Sequence, residues 1–328
     1  MHALVIGAAG MIGRKLVARL LAEGRVMGRP IERLTLFDVV KPERPEGGAV
    51  KVEAFSGDLS AEGEAGRLAD VKPDIIFHLA AVVSGEAEQD FDKGYRVNVD
   101  ATWRLFEAVR AAGHKPRVVF TSSIAVFGAP FPATIPDEFH LTPLTSYGTQ
   151  KAIGELLLAD YIRKGFFDGI GIRLPTIVVR PGKPNKAASG FFSGIIREPL
   201  AGEETVCPVS PEVRHWVASP RAAVGFLMHA AELPGEALER LGARRSLTMP
   251  GLAITVGEMV DALRHVAGDR VAGRVRNERD PFIERIVAGW PQAFDARRAL
   301  ELGFKADSDF ESIIRAHIED ELGGRVAA

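Results

Sequence analysis

"ALVIGAAGMIGRKLVARLL", Ala3 to Leu21, joins a short apolar run to a segment whose apolar residues recur at helical spacing. Gly7, Gly10 and Gly13 stand at the junction. Glycines there let the backbone turn tightly, approach a pyrophosphate and seat the helix on a sheet, with the helix N-terminus facing the phosphates. A triplet of this kind also serves plain strand-to-helix turns, so the neighbouring strand ends have to decide. "RLTLFD" ends in Asp38, a carboxylate able to accept the ribose hydroxyls of NAD and to repel the 2′-phosphate of NADP. "SGDLS" carries Asp58 and Leu59, with Asp58 in reach of the adenine edge, and "DIIFHLAA" closes on Leu79, Ala80 and Ala81, where a cofactor can lie close. Met11 and Ile12 pack at the helix start beneath it. The three strand ends agree on a bound dinucleotide, NAD in preference to NADP.

Beyond this unit, short apolar runs keep alternating with helical patterns. "RVVFTSS" and "GIGIRLP" read as further strands; "YRVNVDATWRLFEAVRAAG" and "TQKAIGELLLADYIRKG" read as helices. Such alternation predicts an α/β fold, a Rossmann-type doubly wound parallel sheet with a smaller C-terminal lobe. Near Arg180 the pattern breaks into the Pro/Gly-rich "RPGKPNKAASG", and later strand-like pieces such as "RRSLTMP" look isolated. The expected division is a dinucleotide-binding domain over 1–180 and a mainly substrate-binding lobe over 181–328, with a segment near 218–232 returning to the first domain.

Composition narrows the function. The 328 residues are 46% hydrophobic and 26% charged with a formal net charge of -2, and the charges are dispersed, so neither nucleic acid nor an anionic membrane is an expected partner. Cys207 is alone, and the eight histidines form no metal-ligand spacing, which predicts a reducing compartment and no metal. No apolar stretch approaches the roughly 18 to 20 residues of a membrane span. Met1-His2 runs directly into a strand pattern, so no signal peptide is expected and the reading is cytoplasmic.

"TSYGTQK", Thr145 to Lys151, places Tyr147 and Lys151 four apart on one helix face, where both can point at one ligand. "RVVFTSSIAVFG" ends its strand in Ser122 and Ser123 within the same unit. A free tyrosine has a pKa of about 10, and a nearby ammonium favours the tyrosinate. A serine hydroxyl then orients the substrate oxygen.

Gly7-x-x-Gly10-x-x-Gly13, Asp38, Asp58-Leu59, "HLAA", Asn98 in "YRVNVDAT", "SSIAVFG" and Tyr147-x-x-x-Lys151 together resemble the extended short-chain dehydrogenase/reductases, the NAD-dependent epimerase/dehydratase family. The match runs in order from Met1 to about Gly182, and "VRHWVASPRAAV" and "FDARRALELGF" resemble the family's later segments. The resemblance implies Tyr147 as acid/base, Lys151 as its activator and ribose contact, and Ser123 rather than Ser122 as the orienting hydroxyl. It sets Asn98 and Pro175 beside the cofactor, although an Asn inside an amphipathic helix also satisfies neighbouring backbone. His78 reads as a packed strand-end residue; Trp216, Phe191 and Phe192 either line the pocket or belong to the core. The resemblance further implies a homodimer paired through the helices bearing Asn98 and Tyr147.

Family members commonly act on nucleotide-sugars, and this chain departs from that pattern. "RLPTIVVRPGKPN" replaces the frequent Asn-Val-Tyr-Gly-Pro form, and Phe127 stands where tyrosine is frequent. "AAVVSGEAEQDFDKGYRVN", "SGIIREPLAGEE" and "VCPV" resemble instead the family's sugar-acid dehydrogenases. That likeness implies a small sugar-acid substrate oxidised at its C2 hydroxyl. Its carboxylate and remaining hydroxyls need cations and oriented donors, for which Ser84, Glu86, Thr176, Asn185, Arg197 and Arg214 are candidates. Arg214 aligns with a family arginine that faces substrate; Arg197 equally suits a solvated helix end, and Glu86 an exposed loop. Two other readings stay open: a nucleotide-sugar epimerase or dehydratase on the same core, and a non-enzymatic dinucleotide sensor, whose relatives usually lack the Ser-Tyr-Lys set.

Overall fold

The computed structural model describes residues 1–45, 48–182 and 189–327. Ten strands carry the architecture: β1 (His2–Ile6), β2 (Arg33–Asp38), β3 (Lys51–Ser56), β4 (Ile75–His78), β5 (Arg117–Ser123), β6 (Asp168–Leu174), β7 (Thr176–Ile177), β8 (Arg214–Ala218), β9 (Ser246–Thr248) and β10 (Leu252–Thr255). The large sheet is parallel throughout, in the order β9-β6-β5-β4-β1-β2-β3, the doubly wound arrangement with one strand added at its edge. β7, β8 and β10 form a second, smaller sheet.

Helices α1 (Met11–Glu23), α2 (Glu64–Asp70), α3 (Ala101–Ala112), α4 (Ser146–Arg163), α5 (Gly190–Leu200), α6 (Pro220–Glu232), α7 (Val256–Ala267) and α8 (Phe310–Leu322) complete the frame. α6 packs against α1 and on the large sheet, and its Val224, Phe226 and Leu227 share one core with Val5, Leu16 and Ile170. A separate core, built from Phe192, Ile195, Met259, Leu263, Ile313 and their neighbours, holds α5, α7 and α8 together.

Glycine makes the first turn possible. Gly7 has φ +93°, and a Cβ there would lie 2.6 Å from the Ala80 nitrogen; at Gly13 a Cβ would meet the Gly7 carbonyl oxygen at 2.1 Å. The long helical pattern from Tyr95 is interrupted by a π-helical turn over Arg96–Asp100 before α3 begins. The Asn98 side chain in that turn accepts from Val82 N at 2.8 Å and donates to Val82 O and to Gln150 Oε1.

"RRSLTMP" is not isolated, because β9 pairs with β6, Ser246 opposite Gly171, where any side chain on residue 171 would strike the Ser246 hydroxyl. Arg173 anchors this edge. Its guanidinium grips the Glu155 carboxylate through Nε at 2.9 Å and Nη2 at 2.8 Å, and Nη1 donates to the Asp137 carbonyl at 2.9 Å. The Asp137 carboxylate in turn accepts from Thr248 N and pairs with Arg298 at 2.6 Å. All three central groups are buried.

Removing one partner of a buried ionic cluster strands the others without solvent, typically at about 3–5 kcal/mol. Arg173→Met is therefore expected to lower unfolding stability by about that amount in urea titrations. A loss no larger than that of an exposed pair such as Arg163–Asp160 contradicts the role given to the cluster.

Candidate active site

The ends of β1, β4, β5 and β6 and the first turn of α4 open on a cavity of about 380 Å³. Met11, Ile12, Leu79, Ala81 and Pro175 form one part of its wall, while Ser123, Tyr147 and Lys151 come together at another. Thr145 caps α4, its hydroxyl accepting from Gly148 N at 3.1 Å, so the helix starts with Tyr147 in its first turn. Gly148 is required there because a Cβ would lie 2.1 Å from the Ala125 carbonyl oxygen. Tyr147 stands beside the Ser123 side chain, which favours its anion, and the Ser123 hydroxyl accepts from Ala125 N at 3.1 Å. Lys151 Nζ donates to the Thr121 carbonyl at 2.8 Å and lies 5.8 Å from the Tyr147 ring centroid.

The two serines have separate surroundings. The Ser122 hydroxyl donates to Glu155 at 2.5 Å and the residue is buried, leaving Ser123 as the serine with a partly exposed side chain beside Tyr147. Burial dominates the electrostatics: it pushes the Tyr147 phenol up to about 12, against the lowering effect of Ser123, and pushes Lys151 down to about 8, with Glu155 pulling the other way. In the chain alone the phenol is thus not held below 10 as the lysine spacing suggested, because desolvation outweighs that attraction.

The dinucleotide candidates cluster around the first turn. Asp38 accepts from Ala9 N at 2.9 Å through one carboxylate oxygen and from Val40 N at 3.2 Å through the other. Asp58 accepts both Ser60 N and the Ser60 hydroxyl on Oδ1, which hold its carboxyl below the usual range. Leu59 is buried, and Ala80 backs Gly7. The close backbone approaches and the partly exposed Asp38 carboxylate suit a dinucleotide. Asn98 is placed otherwise: it is buried, and its amide is occupied by Val82 and Gln150.

Substrate candidates divide sharply. Ser84 and Thr176 line the cavity. Arg197 does not; its Nη1 donates to the Arg180 carbonyl at 2.7 Å and Nη2 pairs with Glu198 at 2.5 Å. Arg214 lies along β8 with its guanidinium on the Ala253 carbonyl and near Glu258, also off the cavity wall. The directions of α5 and β8, and partners that spacing alone does not reveal, hold the two guanidinium groups there. Glu86 pairs with Lys93 at the surface, Trp216 is buried with its indole on the Met249 carbonyl, and Asn185 lies outside the described residues.

Arg180 and His215 are among the wall residues that sequence reading missed. Arg180 is half-buried, and among the described residues no carboxylate pairs with it; its side chain reaches only the Ser189 hydroxyl, at 3.4 Å. Burial and the neighbouring Arg197 hold it below the usual arginine range, yet a guanidinium remains a cation. The preceding Val179 has φ +54°, a left-handed conformation that is strained for a β-branched residue. The signal in the sequence was present in "VVRPG", where a lone arginine ends an apolar run with no acid nearby.

The model of the NAD dependent epimerase/dehydratase family matches residues 3–235. The chain belongs to this family. It is similar to a D-erythronate dehydrogenase from Cupriavidus necator, 52% identical over 98% of each chain, and to another from Haemophilus influenzae, 44% identical over 98% of this chain and 100% of that one. A crystal structure described as a nucleoside-diphosphate-sugar epimerase from Agrobacterium tumefaciens superposes with a TM-score of 0.96 at 62% identity, covering 100% of this chain and 96% of the other. The names differ over the reaction and agree on the family. The resemblance drawn from the glycine turn, strand ends and Tyr-Lys pair holds, as does the α/β fold class. The chain is an enzyme of the NAD-dependent dehydrogenase type, and NAD(P) binding follows from its family.

Lys151 offers a test of the electrostatics. Its folded pKa lies below the unfolded value of about 10.4, so the fold carries a penalty in full below about pH 8 that fades as pH rises toward the unfolded value. Lys151→Met is expected to raise urea stability at pH 7 by roughly 1–3 kcal/mol, a gain that shrinks by pH 10, while turnover falls. A variant less stable than wild type at pH 7 contradicts the buried-ammonium penalty.

Proposed function

We propose that this chain oxidises the C2 hydroxyl of D-erythronate to 2-dehydro-D-erythronate with NAD. The observation that carries the reading is Arg180, a cation without a carboxylate partner among the described residues, in the same small cavity as Ser123, Tyr147 and Lys151. A hydroxy acid supplies what each part lacks: a carboxylate for Arg180 and an alcohol for the Ser-Tyr pair. The two D-erythronate dehydrogenases similar to this chain over nearly its full length support the choice of acid.

In this reading Ser123 holds the C2 oxygen, and Tyr147, whose anion a bound positively charged nicotinamide ring would favour against the burial, takes its proton. Lys151 stabilises that anion, and the alcohol carbon gives up two electrons as the carbonyl forms. NAD, when bound, supplies the two-electron acceptor. Gly7, Gly10 and Gly13 admit its pyrophosphate, Asp38 accepts the adenosine ribose hydroxyls, and the same carboxylate sets NAD ahead of NADP. Residues 181–328 provide most of the substrate lobe. A homodimer is proposed through α3 and α4, which leave Trp103 and Leu156 exposed, and the cytoplasm is the proposed compartment.

The direct experiment follows NADH across three- to six-carbon aldonic acids. D-erythronate is expected to be the preferred substrate, and NAD to be used more efficiently than NADP. Interconversion of a UDP- or dTDP-sugar with no NADH from any aldonic acid overturns the proposal in favour of an epimerase. Tyr147→Phe is expected to lower turnover about a hundredfold to ten-thousandfold with NAD still bound. Arg180→Met is expected to raise the KM for the acid roughly ten- to a hundredfold while NAD affinity changes little, because a charge-assisted contact to a carboxylate is lost. An unchanged KM removes Arg180 from the carboxylate site.

A further inference from the structure

One wall of the cavity has a fixed hydrogen-bond polarity. His215 Nδ1 lies 3.0 Å from the Pro291 carbonyl oxygen, which can only accept, so Nδ1 carries a proton. The imidazole is buried, stacked on Phe192 at 4.9 Å between ring centroids and tilted against Trp290 at 5.3 Å. Burial pushes its pKa down to about 4, so the ring is neutral near pH 7 and Nε2 has a lone pair but no proton. Nε2 is 2.7 Å from the Thr176 hydroxyl. That hydroxyl must therefore donate to the histidine, and what it turns toward the cavity is oxygen lone pairs.

We propose that His215, held in the Nδ1–H tautomer by the Pro291 carbonyl, makes Thr176 an obligate acceptor that selects a substrate hydroxyl other than the one oxidised. The inference rests on the oxidation of a polyhydroxy acid proposed above and adds the device that reads its remaining hydroxyls. An acceptor-only wall binds an O–H and repels a carboxylate or carbonyl oxygen, so the acid end is turned toward Arg180 and away from Thr176. Arg180 and Thr176 thus orient one molecule from two sides by opposite polarity. His215 touches no reacting atom in this scheme; it is a positioning residue acting through Thr176.

The test compares kcat/KM for D-erythronate with that for its 3-deoxy and 4-deoxy analogues, 2,4-dihydroxybutanoate and 2,3-dihydroxybutanoate, in the NAD-loaded enzyme. Wild type is expected to favour D-erythronate over at least one of them by roughly ten- to a hundredfold, the range for one buried hydrogen bond. In Thr176→Val that gap should close to within about threefold, through a fall on D-erythronate alone, and Thr176→Ser should restore it. An equal fall on all three acids shows Thr176 acting by packing and overturns the proposal. Long-range proton–nitrogen NMR on histidine-labelled protein reads the tautomer independently of turnover. Protonated Nδ1 with bare Nε2 on His215 is expected, and a proton on Nε2 at neutral pH overturns the proposal. If wild type oxidises none of the acids, the functional reading fails, and the tautomer measurement still judges the polarity of this wall.

Discussion

Behind the active site a single buried carboxylate, Glu155, is shared by structure and chemistry. It receives both arms of the Arg173 guanidinium, accepts the Ser122 hydroxyl, and is the charge that offsets the desolvation of Lys151. α4 is thereby locked to the end of β6 at the place where the large sheet meets the second lobe. Through Asp137 the same cluster reaches Thr248 and Arg298, so the edge strand β9 and the chain beyond it are held to the catalytic helix. The geometry of Tyr147 and Lys151 depends on these contacts.

The cavity itself separates charge from polarity. Arg180 supplies a cation whose carbonyl is tied back by Arg197, on a backbone turned through the left-handed Val179. Opposing it, the neutral His215 and Thr176 contribute dipoles of fixed direction. Phe127 is buried against Phe139 and Phe294, with the Arg173 guanidinium 5.0 Å from its ring centroid. Strain, burial and a charge with no carboxylate partner among the described residues gather around one opening, as they do at functional sites generally.

His78 illustrates how a conspicuous residue is absorbed by structure. Thr102 gives its proton to the Asn98 carbonyl, so its oxygen accepts from His78 Nε2, and burial with the nearby Lys151 pushes the imidazole down to about 3. Asn98 likewise spends its amide on the strand end at Val82 and on Gln150. Both residues brace the wall from behind.

Local chemistry made the first half of the molecule legible. Gly7 and Gly13 have backbone constraints that only glycine meets, Asp38 and Asp58 mark strand ends, and Tyr147 and Lys151 share a helix face by the helical repeat alone. These are short-range rules, and they carried the Rossmann-type sheet and the Ser-Tyr-Lys grouping. The substrate side followed other rules. Thr176 with Arg180, His215 and Pro291 come from three places in the chain, and their meeting depends on β8 pairing beside β7 and on the segment after α7 folding back over both. Arg197 and Arg214 had the right charge, but the directions of α5 and β8 spent it on backbone carbonyls. Residue type and spacing set what a side chain can do; which side chain meets the ligand was decided by contacts between distant segments, because periodicity carries no information about what packs across a lobe.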